Sequence, residues 1–538
     1  MASFASPAAA LEPWSDADPP APPERFALGN FGFRGAAEYR AQAVYVNPIA
    51  LSSETGRRLT FVEQRLRLDG GVDFQDKVRL TTSLDVLDGL LWGDNGTFGG
   101  TPAPNAGTNV GAKSPSFAKA CIGYRGGDPL KPEAYGYTLC DATAVTVRKL
   151  YADAALPFGL LRVGRQPANA GTGVQSADAD GRPNRFGISR GGNMVDRVLF
   201  ATKPLEAFKP AAERSRSESE GMFVGVSYDR LVGDDPHLFA DDVHQIAVGV
   251  RYLQPKWAAG RDLWLSGYYV HRWDGQFATR LNSLGARGYS RFGPKGRLAL
   301  GFDIAANLGT TREISEAYKV ISNDPAVDQR VRQIGARAAV RYDTKYLTPY
   351  LEIDYASGNS DPQARAPLTQ FVFAEDTNVG LLLFKHVLAF QTARSSAAAL
   401  ETMRRLGAPS YPAEAIATRG AFTNAFALFP QLDVRPHKNV LVRAGVLFAW
   451  APAPVNDPVA SLKRRDGASI QDDLVNFNGG KPGTYYGTEL DGRVQYRFLE
   501  HFAFDLEAAV LFPGDALRDV DGNAVRSVLV QGRTTFFF

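Results

Sequence analysis

Apolar and polar residues alternate along much of this chain with the period of two that a β-strand imposes on its side chains. In Ala524–Phe538, Val528, Val530, Phe536 and Phe538 hold one set of alternate positions, while Gln531, Arg533 and Thr535 hold the other. That spacing predicts a strand with one face suited to lipid and one suited to water. Between 484 and 498, Glu489, Asp491, Arg493, Gln495 and Arg497 alternate with Leu490, Val494, Tyr496 and Phe498. Similar alternation recurs at 61–69, 77–86, 333–343, 351–355 and 502–512. One such strand would also suit the solvated face of a soluble sandwich, so the repetition decides for a membrane sheet.

Strands are predicted near 31–47, 60–74, 77–88, 142–154, 158–166, 193–202, 221–232, 242–253 and 262–273. Further strands are predicted near 278–292, 296–309, 330–343, 347–357, 420–435, 439–451, 484–498, 502–512 and 524–538. The expected fold is all-β, a transmembrane antiparallel β-barrel of about 18 strands, with about 16 as the alternative. Connection lengths agree, because such barrels have short periplasmic turns and longer extracellular loops. Short links at 75–77, 156–157, 293–296, 343–346, 435–438 and 499–501 each follow an even-numbered strand. Long extracellular loops are expected near 89–141, 167–192, 358–419 and 452–483. The link 203–221 is long and charged where a short turn is expected, which makes the count least secure there. Residues 30–538 read as one barrel, and residues 1–29, Pro-rich from Pro13 to Pro23, as a flexible periplasmic lead-in. Trp92, Trp273, Trp450 and Phe512 fall at expected outer strand ends, and Tyr342, Tyr496, Phe502 and Phe538 at inner ends. Amphipathic rings favour those boundaries, although β-propensity alone would also place aromatics in strands.

Composition removes several rivals. No segment approaches the roughly 18 apolar residues of a spanning helix, and a mean hydropathy of -0.20 fits a barrel in which only alternate residues touch lipid. With 60 basic and 57 acidic residues the net charge of +3 is too balanced for a nucleic-acid surface. The opening Met1–Ala10 lacks the basic and apolar regions of an export leader, so the leader is expected to have been removed or truncated. The expected location is the bacterial outer membrane. Lipid and lipopolysaccharide are expected around the barrel, and the barrel-assembly machinery is expected to read Phe536 and Phe538.

Following each polar face inward predicts a lumen lined by Arg65, Arg67, Arg79, Arg162, Arg165, Arg337, Arg341, Arg443, Glu489, Asp491, Arg493, Arg497 and Arg533. Guanidinium groups hold carboxylate or phosphate in bidentate geometry, which suits a polar, anionic solute. The same residues would also brace the wall as cross-strand ion pairs. No cofactor or metal is expected, since the six His show no ligand spacing and Asp519-Val-Asp-Gly-Asn523 and Asp178-Ala-Asp-Gly181 read as turns. Gly187-Ile-Ser-Arg-Gly191 matches a nucleophile-elbow pattern but lies in a predicted loop, without the strand-to-helix turn that chemistry needs. No enzyme is expected. Cys121 and Cys140 fall in one outer loop and are expected to form a disulfide in an oxidising compartment, with free thiols as the alternative. The helix-forming run 395–406 either enters the lumen or lies on the external face.

Three stretches carry a family resemblance. Gly487-Thr-Glu-Leu-Asp491, continuing through Tyr496 to Leu511-Phe-Pro-Gly514, resembles the closing strands of the alginate-export-like outer-membrane porins. Leu161-Arg-Val-Gly-Arg-Gln166 with Asn193-Met-Val-Asp-Arg197 resembles that family's strand, loop and returning strand, and Asp354-Tyr-Ala-Ser-Gly358 with Phe371-Val-Phe373 is similar. The resemblance implies a barrel conducting anionic polysaccharide or small solutes, with Arg in the constriction; Arg162 and Arg165 match that motif, and Arg493 follows. The chain departs from the family in its acid-rich final strands and long 358–420 insertion, and Arg533 stands where the usual terminal assembly signal has glycine, Gly532 coming one residue early. The expected function is a passive channel. A plugged barrel acting as receptor, adhesin or structural protein is the alternative, followed by an outer-membrane hydrolase.

Overall fold

The computed structural model describes residues 25–51, 58–75, 77–93, 143–168, 172–176, 184–188, 194–210, 213–215, 217, 219–231, 243–275, 277–293, 295–374, 377–405, 416–418, 420–467, 469–498 and 501–538. The strands are β1 (Arg25–Leu28), β2 (Phe31–Asn47), β3 (Leu59–Phe74), β4 (Val78–Gly93), β5 (Thr143–Leu156), β6 (Gly159–Pro167) and β7 (Met194–Thr202). They continue with β8 (Gly221–Leu231), β9 (His244–Trp257), β10 (Gly260–Asp274), β11 (Thr279–Phe292), β12 (Leu298–Thr311) and β13 (Gln329–Tyr342). The last are β14 (Leu347–Ala356), β15 (Ala425–His437), β16 (Val440–Trp450), β17 (Tyr485–Phe498), β18 (Phe502–Pro513) and β19 (Ser527–Phe537). The helices are α1 (Pro204–Ala207), α2 (Glu313–Ser322), α3 (Ala389–Arg405) and α4 (Pro458–Arg464), with a π-helical stretch, Leu383–Leu388, leading into α3.

From β2 to β19 every strand pairs antiparallel with its neighbour, and β19 pairs back onto β2, as in Leu529↔Val46 and Phe536↔Tyr39. Phe538 completes this seam, accepting from the Ala37 N–H and donating to the Ala37 carbonyl. The result is a closed barrel of 18 strands, which leaves no free edge and satisfies the backbone without water. Among the described residues no helix is long and apolar enough to cross a membrane; the strands do so. Alternation is visible on β17, where Leu490 and Val494 are 44% and 43% exposed to the outside while Glu489 and Arg493 are buried inside.

The eighteen predicted strands correspond to β2–β19, with shifts at their ends. Strand β15 starts at Ala425 rather than at 420 because Gly420 and Asn424 take positive φ. The intervening backbone turns to pair with the loop instead, through Val372↔Thr423 and the Phe373 N–H on the Phe422 carbonyl. The long link after β7 is real and holds α1, pinned by Lys203 Nζ on the Ser217 carbonyl; the even count stands despite it. Within the segment 1–29 read as a flexible lead-in, β1 forms a hairpin strand on β2, from Phe26↔Phe33 to Leu28↔Phe31. The expected disulfide between Cys121 and Cys140 lies outside the described residues.

Candidate functional site

Alternation along each strand fixes which charged side chains enter the lumen. Arg65, Arg67, Arg79, Arg162, Arg337, Arg341, Arg443, Glu489, Asp491, Arg493, Arg497 and Arg533 share the inward face of their strands. Arg165 does not. The unbroken register Asp153↔Arg162, Ala152↔Val163, Tyr151↔Gly164, Leu150↔Arg165 puts it on the outer face with Val163 and Leu150. Arg162 and Arg165 are three positions apart, an odd interval, so a strand cannot turn both inward. Arg165 instead forms a bidentate pair with Asp196, at 2.9 and 3.0 Å, outside the barrel.

Most inward guanidiniums are held by carboxylates on adjacent strands. Arg67 grips Asp85 at 2.6 and 2.8 Å, Arg162 grips Asp153 at 2.6 and 2.9 Å, and Arg443 holds Asp433 with two 2.6 Å bonds. Arg493 donates to Asp505 at 2.7 and 2.9 Å, Arg533 reaches both Asp505 and Glu507, and Arg337 pairs with Glu352 and Asp354. Near the inner rim Arg341 donates to Asp343 at 2.7 Å. Such bidentate, low-dielectric pairs fix the wall's geometry.

Two loops enter the lumen and pack on this wall. The loop after β6 contributes Arg185, which donates to Gln431 Oε1 at 2.7 Å and to Asp433 Oδ1 at 2.8 Å. Its backbone is held as well: Arg443 and Arg493 donate to the Arg185 carbonyl, the Gly187 N–H donates to Glu507 Oε1 at 2.8 Å, and Arg337 reaches the Thr172 carbonyl at 2.8 Å.

The loop between β14 and β15 goes inside with its 371–393 part, while the helix-forming run, open in sequence between lumen and external face, packs over residues 395–405 against α2 and α4 of the neighbouring extracellular loops. Glu489 on β17 accepts the backbone N–H groups of Leu381, Leu382 and Leu383 at 2.7, 2.8 and 2.6 Å. These are orphan donors at the start of the helical segment, where a carboxylate is favoured. Gly380 lets the chain approach so closely, with φ of +74° and a Cβ position 2.8 Å from both Glu489 Oε1 and Leu447 Cδ2. Above this contact an apolar core forms inside the barrel. Phe384 stacks edge-on against Phe422 at 4.7 Å, Phe422 meets Phe373 at 4.9 Å, and inward residues Val44, Val46, Phe61, Leu447, Leu511 and Leu529 complete it. The outer thirds of these strands are thus apolar on both faces.

The loops fill the lumen against β12–β19 and β2–β3. Across β5–β10 the inward Lys149, Arg162, Arg197, Arg251, Trp264, Tyr268 and Arg272 are partly exposed and combine bases with rings, while Arg148, Asp153, Asp229 and Gln245 are buried. Arg162 lies 4.1 Å over the Tyr151 ring and Arg251 lies 5.7 Å from the Trp264 ring. Lys149, Tyr268 and Arg272 share that face, Arg272 donating to Gln245 at 3.1 and 3.3 Å. Sequence reasoning left Trp264, Tyr268 and Arg272 out of the lumen because β10 carries aromatic residues on both faces, which hides its inward side. Among the described residues there is no grouping of His, Cys, Asp and Glu able to hold a metal ion.

A closed barrel with a charged, loop-narrowed lumen that matches the alginate-export family model is an outer-membrane channel for solutes or polysaccharide. The family model for alginate export matches residues 137–531, and the chain belongs to that family. No curated protein matches it. Among solved structures it is similar to Acinetobacter baumannii OccAB1, at 9% identity and a TM-score of 0.48, covering 94% of this chain and 96% of that one. It is also similar to Pseudomonas aeruginosa OpdK with vanillate, at 9% identity and 0.47, covering 94% and 98%, and to Pseudomonas aeruginosa OccK11 (OpdR), at 11% and 0.43, covering 94% and 96%.

Proposed function

We propose that the channel passes polar, anionic solutes or an acidic polysaccharide along the β5–β10 side of the lumen. The carrying observation is the charge of that side. Arg148, Lys149, Arg162, Arg197, Arg251 and Arg272 face inward there against Asp153, Asp229 and Asp274, and the bases outnumber the acids. Aromatic rings beside them offer flat apolar surface to sugar or other rings while the guanidiniums meet carboxylates. A lumen with excess base concentrates anions and repels cations. Lipopolysaccharide surrounds the barrel in the outer leaflet, and Phe536 and Phe538 are the residues offered to the assembly machinery.

Single-channel recording in a planar bilayer tests this reading, with the reversal potential measured across a salt gradient. Anion selectivity is expected. No conductance would overturn the channel route, and cation selectivity would overturn the role given to the β5–β10 bases.

A further inference from the structure

The outside of the barrel is not uniform around its outer rim. On the outward positions next to the extracellular strand ends, the sector β14–β19 and β2–β4 carries rings such as Trp450, Phe426, Phe512 and Trp92. The sector β8–β13 carries bases instead. One row of paired residues runs Arg230↔His244↔Trp273↔Arg280↔Thr310↔Arg330, crossing six strands. Arg332, on the same outward face of β13, sits opposite Leu308. The arginines are exposed, and they share their faces with the lipid-facing Tyr228, Leu284, Ile334 and Leu308. Arg230 stands opposite Asp196 of β7, which Arg165 also grips at 2.9 Å, and Asp328, two residues before Arg330, is held by Arg312 at 2.9 Å.

The level of this row follows from strand length. Strands β9, β11, β12 and β13 each have 14 residues. At about 3.4 Å per residue and a tilt of about 40° they stand roughly 36 Å tall, against an apolar band of about 25 Å. The excess puts each end roughly 5 Å beyond the hydrocarbon, at headgroup depth. Trp273, stacked on His244 at 5.8 Å, marks that boundary as interfacial rings do.

We infer that the outward β8–β13 rim, through Arg230, Arg280, Arg330 and Arg332, binds the phosphorylated headgroup of outer-leaflet lipopolysaccharide. This inference rests on the outer-membrane orientation of the barrel. Planar guanidiniums spaced along a curved wall present several bidentate sites to a headgroup carrying more than one phosphate. A zwitterionic headgroup gains little from them. The lumen's own bases play no part, since the row lies on the opposite face of the same strands.

The test uses the full chain, refolded free of lipid in mild detergent and titrated with intact lipopolysaccharide, enzymatically dephosphorylated lipopolysaccharide and phosphatidylethanolamine. Binding is followed by native mass spectrometry. Intact lipopolysaccharide is expected to bind at least tenfold more tightly than the other two, and R230Q/R280Q/R330Q/R332Q is expected to remove that advantage. K345Q, an exposed inner-rim substitution, is expected to leave it intact. Equal binding of the dephosphorylated form, an unchanged affinity in the quadruple variant, or a shift of that variant from oligomer to monomer would each overturn the assignment. If the variant does not fold, the wild-type comparison of intact and dephosphorylated lipid decides alone. Heat-dependent gel mobility and bilayer conductance of the same preparations report separately on the barrel and channel reading.

Discussion

Replacing Glu489 with Gln probes the contact that holds the inserted loop inside the lumen. The carboxylate accepts three backbone N–H groups, two on Oε1 and one on Oε2. Glutamine keeps one oxygen, so it can retain the Leu381 and Leu382 bonds as neutral ones, while its amide nitrogen meets the Leu383 N–H donor to donor. Losing charge assistance on two bonds costs about 0.5–1 kcal/mol each, and stranding a buried N–H costs about 1–3 kcal/mol. The sum is about 3 kcal/mol, equivalent to roughly a hundredfold shift in a local opening equilibrium. Against it stand Phe371, Phe373, Phe384 and Phe422, all fully buried in the loop's own core, each worth about 1.5–3 kcal/mol of burial. The loop therefore stays docked while its first helical turn frays.

Hydrogen exchange on the protein in detergent micelles reads this directly. Amides of Leu381–Leu383 should exchange roughly a hundredfold faster in E489Q, with the Phe373 and Phe422 strand pairing unchanged, and bilayer recordings should show added flicker without a new conductance level. Unchanged exchange at those amides would refute the anchoring role of Glu489. Wholesale exposure of residues 371–374 would refute the claim that the apolar core dominates.

Other perturbations separate further elements. Gly380→Ala forces a Cβ against Glu489 and Leu447 at a positive φ and should cost about 1–3 kcal/mol, read as a lower temperature for the gel-mobility transition. R162A combined with R251A should move the reversal potential toward cation selectivity, while R165A, outside the barrel, should leave it in place. Burial, and after it the neighbouring Lys385 charge, lowers the His386 pKa to about 3, below its unfolded value of about 6.5. The docked loop is then most stable above pH ~6.5 and weakens as pH falls toward about 3, by up to about 1.4 kcal/mol per unit; the exchange protection factors of residues 383–388, corrected for the intrinsic pH dependence of exchange, should fall below pH ~6.5 and H386F should flatten that profile. Removing Phe538 breaks two backbone bonds across the β19–β2 seam and should lower outer-membrane yield several-fold in a membrane-fraction immunoblot.

Legibility in the sequence followed the physics of each element. Strands announce themselves by alternation wherever one face meets lipid and the other meets charge, as on β17 and β19, and the turn lengths then order them. The same rule excludes Arg165 from the lumen, since its separation from Arg162 is odd; the family motif that contains both carries no information about which face each takes. Alternation fails where both faces are apolar. Leu59 and Phe61 on β3 point inward, yet composition cannot distinguish an inward residue covered by a loop from one that faces lipid. The placement of the 357–424 loop was hidden for the same reason: Glu489 reads as one more lumen acid until its three N–H partners, about a hundred residues earlier in the chain, are seen.

That partnership changes what the acid-rich final strands mean for the solute. Taken as exposed lumen charge, Glu489, Asp505 and Glu507 would oppose an anionic cargo. In the folded barrel Glu489 is spent on the loop backbone, Asp505 on Arg493 and Arg533, and Glu507 on Arg533, Gln531 and the Gly187 N–H. Asp433 is likewise held by Arg443 and Arg185. Each is buried beneath or beside an inserted loop, so its field is compensated at close range before it reaches the open side. On the proposed reading, selectivity then falls to strands β5–β10, whose bases outnumber their acids. The acids of the final strands thus serve to seat the loops, and on that reading seating them leaves the passage to the basic side of the barrel.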